Sequence, residues 1–409
     1  MNGGTARSDI FCRFRAHEGY IKNSGISRRL CRKKGKVMRV GIVTIYDLTN
    51  YGNRLQNYAT VTYLRRHGIE ADTLVVRERS FAGDLKNVYH RFFGGSSYVP
   101  WDLRQETREY ADSLKPLLRA RYDRFLAFSR QYTHLRHVSY RKEIRGSLNR
   151  AYDYFIAGSD QLWNPDMGHA QPPQFLAFAE PRKCLSWAAS FGVDEIRYRR
   201  DEVVRGLRHI PVISVREESA EKIVWELTGK EAEVLIDPTL MLGPDAWDEI
   251  ASLPEGFDPD TPYLLTYFIG GRSAETDRQI RAIANSHGLT VRHMLSEDEP
   301  ELYSAGPGEF AGLIKHASLI MTDSFHASVF SILYGRPFLV FRRKGFGGEL
   351  MGRIGTLLRT FHLEDRYAGS GIPDRVMDCD FAEAYSILAR QREKTDAFLG
   401  RALRTDVFI

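Results

Sequence analysis

Along most of the chain, segments with the apolar spacing of a strand alternate with segments with the apolar spacing of a helix. Residues 40–45 form an almost continuous apolar run, which is typical of a parallel strand buried on both faces. A polar loop at residues 46–53 leads into helical spacing that we expect to begin near Arg54 or Leu55 and to end before Gly68. Residues 70–76 return to a strand pattern. This order predicts a βαβ unit that opens a doubly wound domain.

The same alternation continues toward the C-terminus and is interrupted once. Residues 80 to about 140 have helical spacing and indicate a helical insertion, and the run from 208 to 216 indicates a strand that leads into a helix. Four prolines between 243 and 262 break the pattern, after which strands and helices alternate again. The predicted fold class is therefore α/β, with two Rossmann-like domains that face each other across a cleft. We place these domains at residues 38–243 and 262–380, with a C-terminal helix in 381–409 that packs back on the first.

Composition adds a basic tail to this picture. The 409 residues are 43% hydrophobic and 12% aromatic and carry a net charge of +6. Residues 1–37 hold ten Lys or Arg against two acidic residues, so the net positive charge of this segment alone exceeds that of the whole chain. The folded remainder is slightly acidic, which gives no reason to expect a nucleic-acid partner.

Three interpretations of the tail remain open. It is a disordered extension, a tether to an anionic membrane surface, or sequence translated upstream of a natural start at Met38. It lacks the apolar core of a secretory signal, and no run of 18 apolar residues occurs in the chain. We therefore expect a cytoplasmic protein, with peripheral contact at the inner face of the membrane if the tail is a tether.

The segment from Thr322 to Phe341 carries the strongest candidate chemistry. A short apolar strand precedes it, and Thr322, Asp323 and Ser324 offer N-cap chemistry for a helix that ends at Gly335. His326 is predicted in the first turn of that helix, where free N–H groups and the helix dipole favour an anion. A structural histidine is the alternative interpretation.

A second candidate is Arg216, which follows the predicted strand. Its guanidinium would suit a phosphate or carboxylate, and pairing with Glu217 or Glu218 is the structural alternative. After the strand that follows the His326 helix, Arg342, Arg343 and Lys344 offer further positive charge beside the glycine-rich residues 345–348.

Two polar clusters at strand exits have the side chains that bind sugars. Amide groups can hydrogen-bond hydroxyls and an indole can stack on a pyranose ring, although capping and core packing explain the same residues. The first loop has only one glycine and lacks a dinucleotide-binding fingerprint. The predicted substrate-binding residues of these loops and of the His326 helix are Asn50, Tyr51, Gly52, Asn53, Gln56, Ser159, Gln161, Trp163, Ser324 and Phe325. The widely spaced cysteines form no metal motif, so we expect neither a metal nor a cofactor.

As an ensemble, these motifs resemble the polysaccharide pyruvyl transferase family. The resemblance spans roughly residues 38–361 and rests on segments in the family's order: Gly41-Ile-Val43, Asn50 to Ala59, Gly158-Ser-Asp-Gln-Leu-Trp-Asn164, Ile213-Ser-Val-Arg-Glu217, Asp237-Pro-Thr-Leu240 and Ala317 to Phe341. The family implies a fold similar to the two-domain GT-B glycosyltransferases. It also implies transfer of a pyruvyl group from phosphoenolpyruvate to a sugar of an oligosaccharide or lipid-linked glycan, as a ketal.

By this resemblance, Arg216 and His326 match positions that bind or activate phosphoenolpyruvate. His326 would act as general acid or stabilise the leaving phosphate, and Asp160 is our candidate for accepting a proton from a sugar hydroxyl. Two alternatives remain: a nucleotide-sugar glycosyltransferase with the same architecture, and a glycan-binding relative without catalysis.

Overall fold

A computed structural model of the protein describes residues 32–33, 36–77, 108–139, 146–344 and 351–408. Most of the basic tail, the first part of the predicted insertion and the glycine-rich residues 345–348 lie outside these ranges. None of the helices in the described part of the chain is long and apolar enough to cross a membrane.

The first unit is built on a parallel sheet. Its strands, after a two-stranded antiparallel pair β1 (Arg32–Lys33) and β2 (Lys36–Val37), are β3 (Arg39–Val43), β4 (Glu70–Arg77), β5 (Leu135–Ser139), β6 (Tyr154–Ala157), β7 (Cys184–Ser186), β8 (Ser214–Val215) and β9 (Glu233–Val234). The order β5-β4-β3-β6-β7 is parallel throughout, and bridges from Leu185 to Val212 and from Ala189 to Val215 join β7 to the parallel pair β8-β9. Strand order reverses at β3, so the loops after β3 and β6 border the crevice where such sheets bind ligands.

Helices connect these strands. They are α1 (Tyr51–Arg66), α2 (Arg108–Asp112), α3 (Pro116–Tyr132), α4 (Ser147–Ala151), α5 (Arg200–His209), α6 (Glu218–Thr228) and α7 (Pro244–Asp248), and a 3-10 turn spans Pro238–Met241.

The second unit repeats the plan with four parallel strands. Its elements are β10 (Tyr263–Tyr267), α8 (Ala274–His287), β11 (Thr290–His293), α9 (Pro300–Tyr303), α10 (Pro307–His316), β12 (Leu319–Thr322), α11 (Phe325–Tyr334), β13 (Phe338–Val340), α12 (Met351–Thr360) and α13 (Ala382–Leu403). The strand order is β11-β10-β12-β13, which places the crevice between the loops after β10 and β12. The predicted α/β class with two Rossmann-like sheets is confirmed.

One apolar core runs through both units. Ile42 and Leu55 of the first unit belong to the same buried cluster as Leu265 and Phe330 of the second. The last helix, α13, lies against the first unit, where Arg392 donates from Nε to the Leu240 carbonyl at 2.7 Å. The two crevices are therefore held together by continuous packing.

Three local predictions were wrong. Helix α1 begins at Tyr51 rather than near Arg54, because the Asn50 side chain accepts the Asn53 N–H and starts the helix earlier. Residues 135–139 are not helical: they form the edge strand β5, which pairs with β4. The run from 208 to 216 contains only a two-residue strand, since α5 extends to His209.

Candidate functional site

His326 lies where the two crevices meet. It is the second residue of α11, whose N-cap is Ser324, and the helix ends at Gly335 with a positive φ of 60°, so the predicted first-turn position is confirmed. Its Nε2 lies 3.6 Å from Oδ2 of Asp237, which is longer than a hydrogen bond but within ion-pair distance. A histidine from the second unit thus faces a carboxylate from the first.

Gly52 lets His326 reach this position. A Cβ at residue 52 would lie 1.9 Å from Nδ1 of His326, so the ring rests directly against the backbone of the first turn of α1. The neighbouring Tyr51 fixes that turn on the second unit, since its hydroxyl donates to the Ala305 carbonyl at 2.8 Å and its ring stacks on Phe310. The backbone of α1 therefore packs against the ring at Nδ1, while Nε2 is buried, faces Asp237 and has no hydrogen-bond partner among the described residues.

Arg216 follows β8 and is buried beside this pair. Its Nη1 donates to Asp237 Oδ2 at 2.7 Å and its Nη2 to Asp160 Oδ1 at 3.3 Å. The guanidinium also lies 4.3 Å from the ring centroid of Phe325. Burial alone would lower the pKa of Arg216, but the carboxylates of Asp237 and Asp160 outweigh burial and raise it. Arg216 is thus a fixed cation.

The predicted structural alternative for Arg216 receives little support. Glu217 Oε2 is 4.0 Å from Arg216 Nε, and its Oε1 accepts hydrogen bonds from Ser190 Oγ and the Phe191 N–H. Glu218 pairs with Arg359 on the surface. Burial raises the pKa of Glu217 despite the nearby Arg216.

Asp237 joins the elements of the site. Ser159 Oγ donates to Oδ2 at 2.8 Å, and the Thr239 N–H donates to Oδ1 at 3.0 Å. Burial would raise the pKa of Asp237, but His326 and Arg216 hold it well below its usual range, so this side chain is an anion. Sequence reasoning did not assign it a role, although Asp237-Pro-Thr-Leu240 was one of the segments that carried the resemblance.

Asp160 follows β6 with a positive φ of 69° and is shared by two arginines. Besides Arg216, Arg353 of α12 approaches its Oδ1, with Nη1 at 3.5 Å. Burial would raise the pKa of Asp160, but Arg216, His326 and Arg353 lower it to about 2. A carboxylate with so low a pKa is a weak base at neutral pH, so its surroundings do not favour the predicted role of proton acceptor. Arg353 was not predicted.

The amide side chains of the first loop make several structural hydrogen bonds. Asn50 caps α1, while Asn53 Oδ1 accepts the Asp47 N–H at 3.2 Å. Gln56 donates from Nε2 to Thr44 Oγ1 at 2.7 Å. Asn53 Nδ2 and Gln56 Oε1 have no hydrogen-bond partner among the described residues, so these two amides are only partly satisfied by structural bonds.

The second cluster is divided. Ser159 contacts Asp237, but Trp163 is fully buried, donates to the Gln174 carbonyl at 3.1 Å and stacks on Phe175. Neither face of the indole is open to a sugar. Gln161 lies against Gly192, where a Cβ would meet its Nε2 at 1.9 Å. Trp163 therefore acts here as core.

The three residues of the basic run after β13 differ in burial. Arg342 and Lys344 are exposed, whereas Arg343 Nε lies 3.4 Å from Asp323 Oδ2. Asp323 in turn accepts the N–H groups of Ile269 and Gly270, both at 2.8 Å, across the second crevice. Arg343 therefore connects the loops around α11 through Asp323, and its positive charge also acts on Arg353.

A cavity of about 430 Å³ opens beside the charged cluster. Its inner end is lined by Arg216, Asp237 and Phe325. The rest of its lining is mixed. Its apolar part includes Leu235, Ile236, Leu240, Leu357 and Phe361, and its polar part comes from α6, α12 and α13: Glu218, Glu221, Thr356, Thr360, Gln391 and Lys394. In the described residues, no group of three or more His, Cys, Asp or Glu side chains is arranged to hold a metal ion.

The model of one protein family, described as polysaccharide pyruvyl transferase, matches residues 50–345. This range covers most of the chain and includes Gly52, Asp160, Arg216, Asp237 and His326. The chain belongs to the polysaccharide pyruvyl transferase family. The comparison with curated proteins found no match.

Several solved structures are similar over most of their length. A putative UDP-N-acetylglucosamine 2-epimerase from Listeria monocytogenes has a TM-score of 0.43 and 10% identity, with 90% of this chain and 97% of that chain covered. The E. coli heptosyltransferase WaaC with ADP has a TM-score of 0.35 and 14% identity, with 77% and 90% covered. At such scores the likenesses do not indicate what this member of the family binds.

Proposed function

We propose that this pyruvyl transferase uses phosphoenolpyruvate as donor and forms a pyruvate ketal on two hydroxyls of one sugar. The observation that carries the proposal is the joining of Arg216, Asp237 and His326 at the meeting of the two crevices, in a chain that belongs to the family. A fixed cation beside a histidine and at the end of a cavity suits a small, highly charged donor.

The chemistry balances without an external oxidant or reductant. One sugar oxygen bonds to the central carbon of phosphoenolpyruvate while the methylene carbon gains a proton and becomes a methyl group. The second sugar oxygen then bonds to the same carbon, and the bond between this carbon and the phosphate oxygen breaks. Of the two hydroxyl protons, the equivalent of one ends on the methyl group and of the other on the released phosphate.

The roles of the side chains follow from their contacts. Arg216 would hold the phosphate or the carboxylate and stabilise the charge that develops as phosphate leaves. His326 would exchange a proton with the reacting groups as a general acid or base. Asp237, an anion 3.6 Å from Nε2, would orient that nitrogen when it carries a proton.

The acceptor glycan would approach through the cavity. Its polar lining offers carboxylates, an amide, hydroxyls and an ammonium group, all of which hydrogen-bond sugar hydroxyls. An oligosaccharide and a lipid-linked glycan would both offer hydroxyls to these side chains.

Thermal-shift titration followed by a turnover assay tests the proposal. Phosphoenolpyruvate, UDP and GDP are titrated separately, and phosphate release from phosphoenolpyruvate is then measured over a panel of glycans. We expect a saturable rise in Tm with phosphoenolpyruvate alone and its loss in Arg216→Ala and His326→Ala, with Arg359→Gln on the exposed face of α12 as control. A response to a nucleotide alone would contradict the proposal and favour a glycosyltransferase.

A further inference from the structure

Arg353 is a buried cation whose charge is poorly compensated. The residue is 5% exposed, and its Nη1 contact with Asp160 Oδ1, at 3.5 Å, is at the limit of a hydrogen bond. Its Nε has no hydrogen-bond partner among the described residues. A buried guanidinium ordinarily needs several close acceptors, so this arrangement is costly unless something else occupies the gap.

The neighbour that would satisfy Arg353 is already engaged. Asp160 also accepts from Arg216 Nη2 at the shorter distance of 3.3 Å, so the two guanidinium groups share this carboxylate. Glu217 is the other carboxylate that favours the charge of Arg353, and its Oε1 accepts hydrogen bonds from Ser190 Oγ and the Phe191 N–H. Burial and the nearby positive charge of Arg216 lower the pKa of Arg353 to about 9. Arg353 therefore stays protonated at neutral pH in surroundings that disfavour its charge, and an added anion would relieve that cost.

The cavity reaches Arg216 and the face of α12 that carries Arg353, although Arg353 itself is not one of its lining residues. Arg353, Thr356 and Thr360 lie one turn apart along a single face of α12, and both threonines line the cavity. Arg216 lines the inner end of the same cavity. A small anion at that end would lie beside the guanidinium of Arg216 and the helix turn that carries Arg353.

We infer that Arg353 and Arg216 form a paired anion-binding site for the donor, and that Asp160 holds the two guanidinium groups in place until the donor anion displaces it. The anion is the phosphate or the carboxylate group of the donor, so the inference rests on the proposed function for its ligand. Two forks directed at one site are the geometry that binds such planar or tetrahedral oxyanions most tightly.

The test is a thermal-shift titration at constant ionic strength with three probes: inorganic phosphate, pyruvate and phosphoenolpyruvate. We expect Arg353→Gln to raise the half-saturating concentration of phosphoenolpyruvate at least about tenfold, because a charged hydrogen bond is lost. Arg353→Lys keeps the positive charge but loses the two-pronged guanidinium. Its half-saturating concentration should therefore lie between those of the wild type and Arg353→Gln. Arg359→Gln, an exposed arginine of the same helix that pairs with Glu218, should bind as the wild type does. If Arg353→Gln weakens the binding of inorganic phosphate, Arg353 holds the phosphate group of the donor. If it weakens the binding of pyruvate, Arg353 holds the carboxylate.

A second variant separates binding from a purely structural role. Asp160→Asn removes the competing carboxylate and should tighten binding of the same probes several-fold, whereas Asp194→Asn, an exposed acid near α12, should not. In steady-state assays with an acceptor, Arg353→Gln should raise KM for phosphoenolpyruvate more than it lowers kcat.

The outcomes distinguish the inference from the proposed function. Wild-type half-saturation in Arg353→Gln and Arg353→Lys, with phosphoenolpyruvate still consumed, would overturn the inference and leave the function standing. Binding of phosphate that depends on Arg353, without consumption of phosphoenolpyruvate over the glycan panel, would support the anion site and count against the function. Failure of all three probes to shift the wild-type Tm would overturn the inference.

Discussion

At the scale of single residues, the contact between Gly52 and His326 sets the geometry of the site. The ring lies where a Cβ at residue 52 would stand, 1.9 Å from Nδ1 and 2.4 Å from Cγ. Gly52→Ala must therefore displace the imidazole from its observed position beside Asp237. Because a displacement of about 1 Å can cost about 100-fold in rate, we expect kcat for phosphate release in the presence of acceptor to fall by about 100-fold.

Gly355→Ala is the matched control for this prediction. Gly355 is also helical, and the nearest atom to its added Cβ is the flexible end of Arg359, at 3.0 Å. It should keep wild-type activity and gain a little stability from the better helix former. A Gly52→Ala enzyme with wild-type kcat would show that the observed His326 position is not needed for turnover.

The residues that the sequence could and could not predict differ in how far their partners lie along the chain. His326 was predictable because a strand, an N-cap and a terminal glycine surround it within about one helix. Arg353 was not, since its significance depends on Asp160, 193 residues away. Trp163 shows the opposite error: beside polar residues its indole suggested a sugar platform, but stacking on Phe175 places it in the core.

At the scale of elements, α13 contacts α1 through Asp396, a carboxylate whose burial disfavours its charged form. The Tyr63 hydroxyl donates to Asp396, and burial raises the pKa of Asp396 to about 6 although the tyrosine opposes this. The folded state therefore favours the protonated carboxyl. Its contribution to stability is fully present below the ordinary pKa of about 4 and is lost as pH rises through about 6.

Asp396→Asn should therefore stabilise the protein at pH 8 but not at pH 4. We expect a gain of about 1 kcal/mol in the free energy of unfolding at pH 8, reduced from the full shift because the side chain is partly exposed. Urea unfolding at pH 8, 6 and 4 measures it, with the exposed Glu393→Gln on the same helix as control. A gain that is equal at all three pH values would contradict the raised pKa as its cause.

Elements whose limits depend on local signals were the ones that the sequence predicted well. Helix α11 has the predicted limits, with its N-cap at Ser324 and its end at Gly335, because caps and apolar spacing define it. Strand β5 was missed because its polar sequence carries little strand signal and its pairing with β4 is a long-range event. Pairing of this kind cannot be read from spacing alone.

At the scale of the whole molecule, the two units should unfold together. Domains within a chain often move independently, but here one apolar core spans both units and Tyr51 lies within it. The Tyr51 ring contacts Phe125 on the first unit's side and both Tyr267 and Phe310 in the second unit, with the Phe310 centroid at 4.7 Å. A site that is assembled from both units depends on this packing.

We expect a single urea transition that coincides when followed by tryptophan fluorescence and by far-UV circular dichroism, because coincidence is the mark of two-state unfolding. Tyr51→Ala should cost about 3–5 kcal/mol, since it removes a fully buried aromatic ring, and should separate the two transitions as the interface loosens. Tyr198→Ala is the control: that ring is 64% exposed, and its loss should change stability by less than about 0.5 kcal/mol. Two separate transitions in the wild type would mean that the shared core does not couple the units, and His326 would then need a closing motion of the units to meet Asp237.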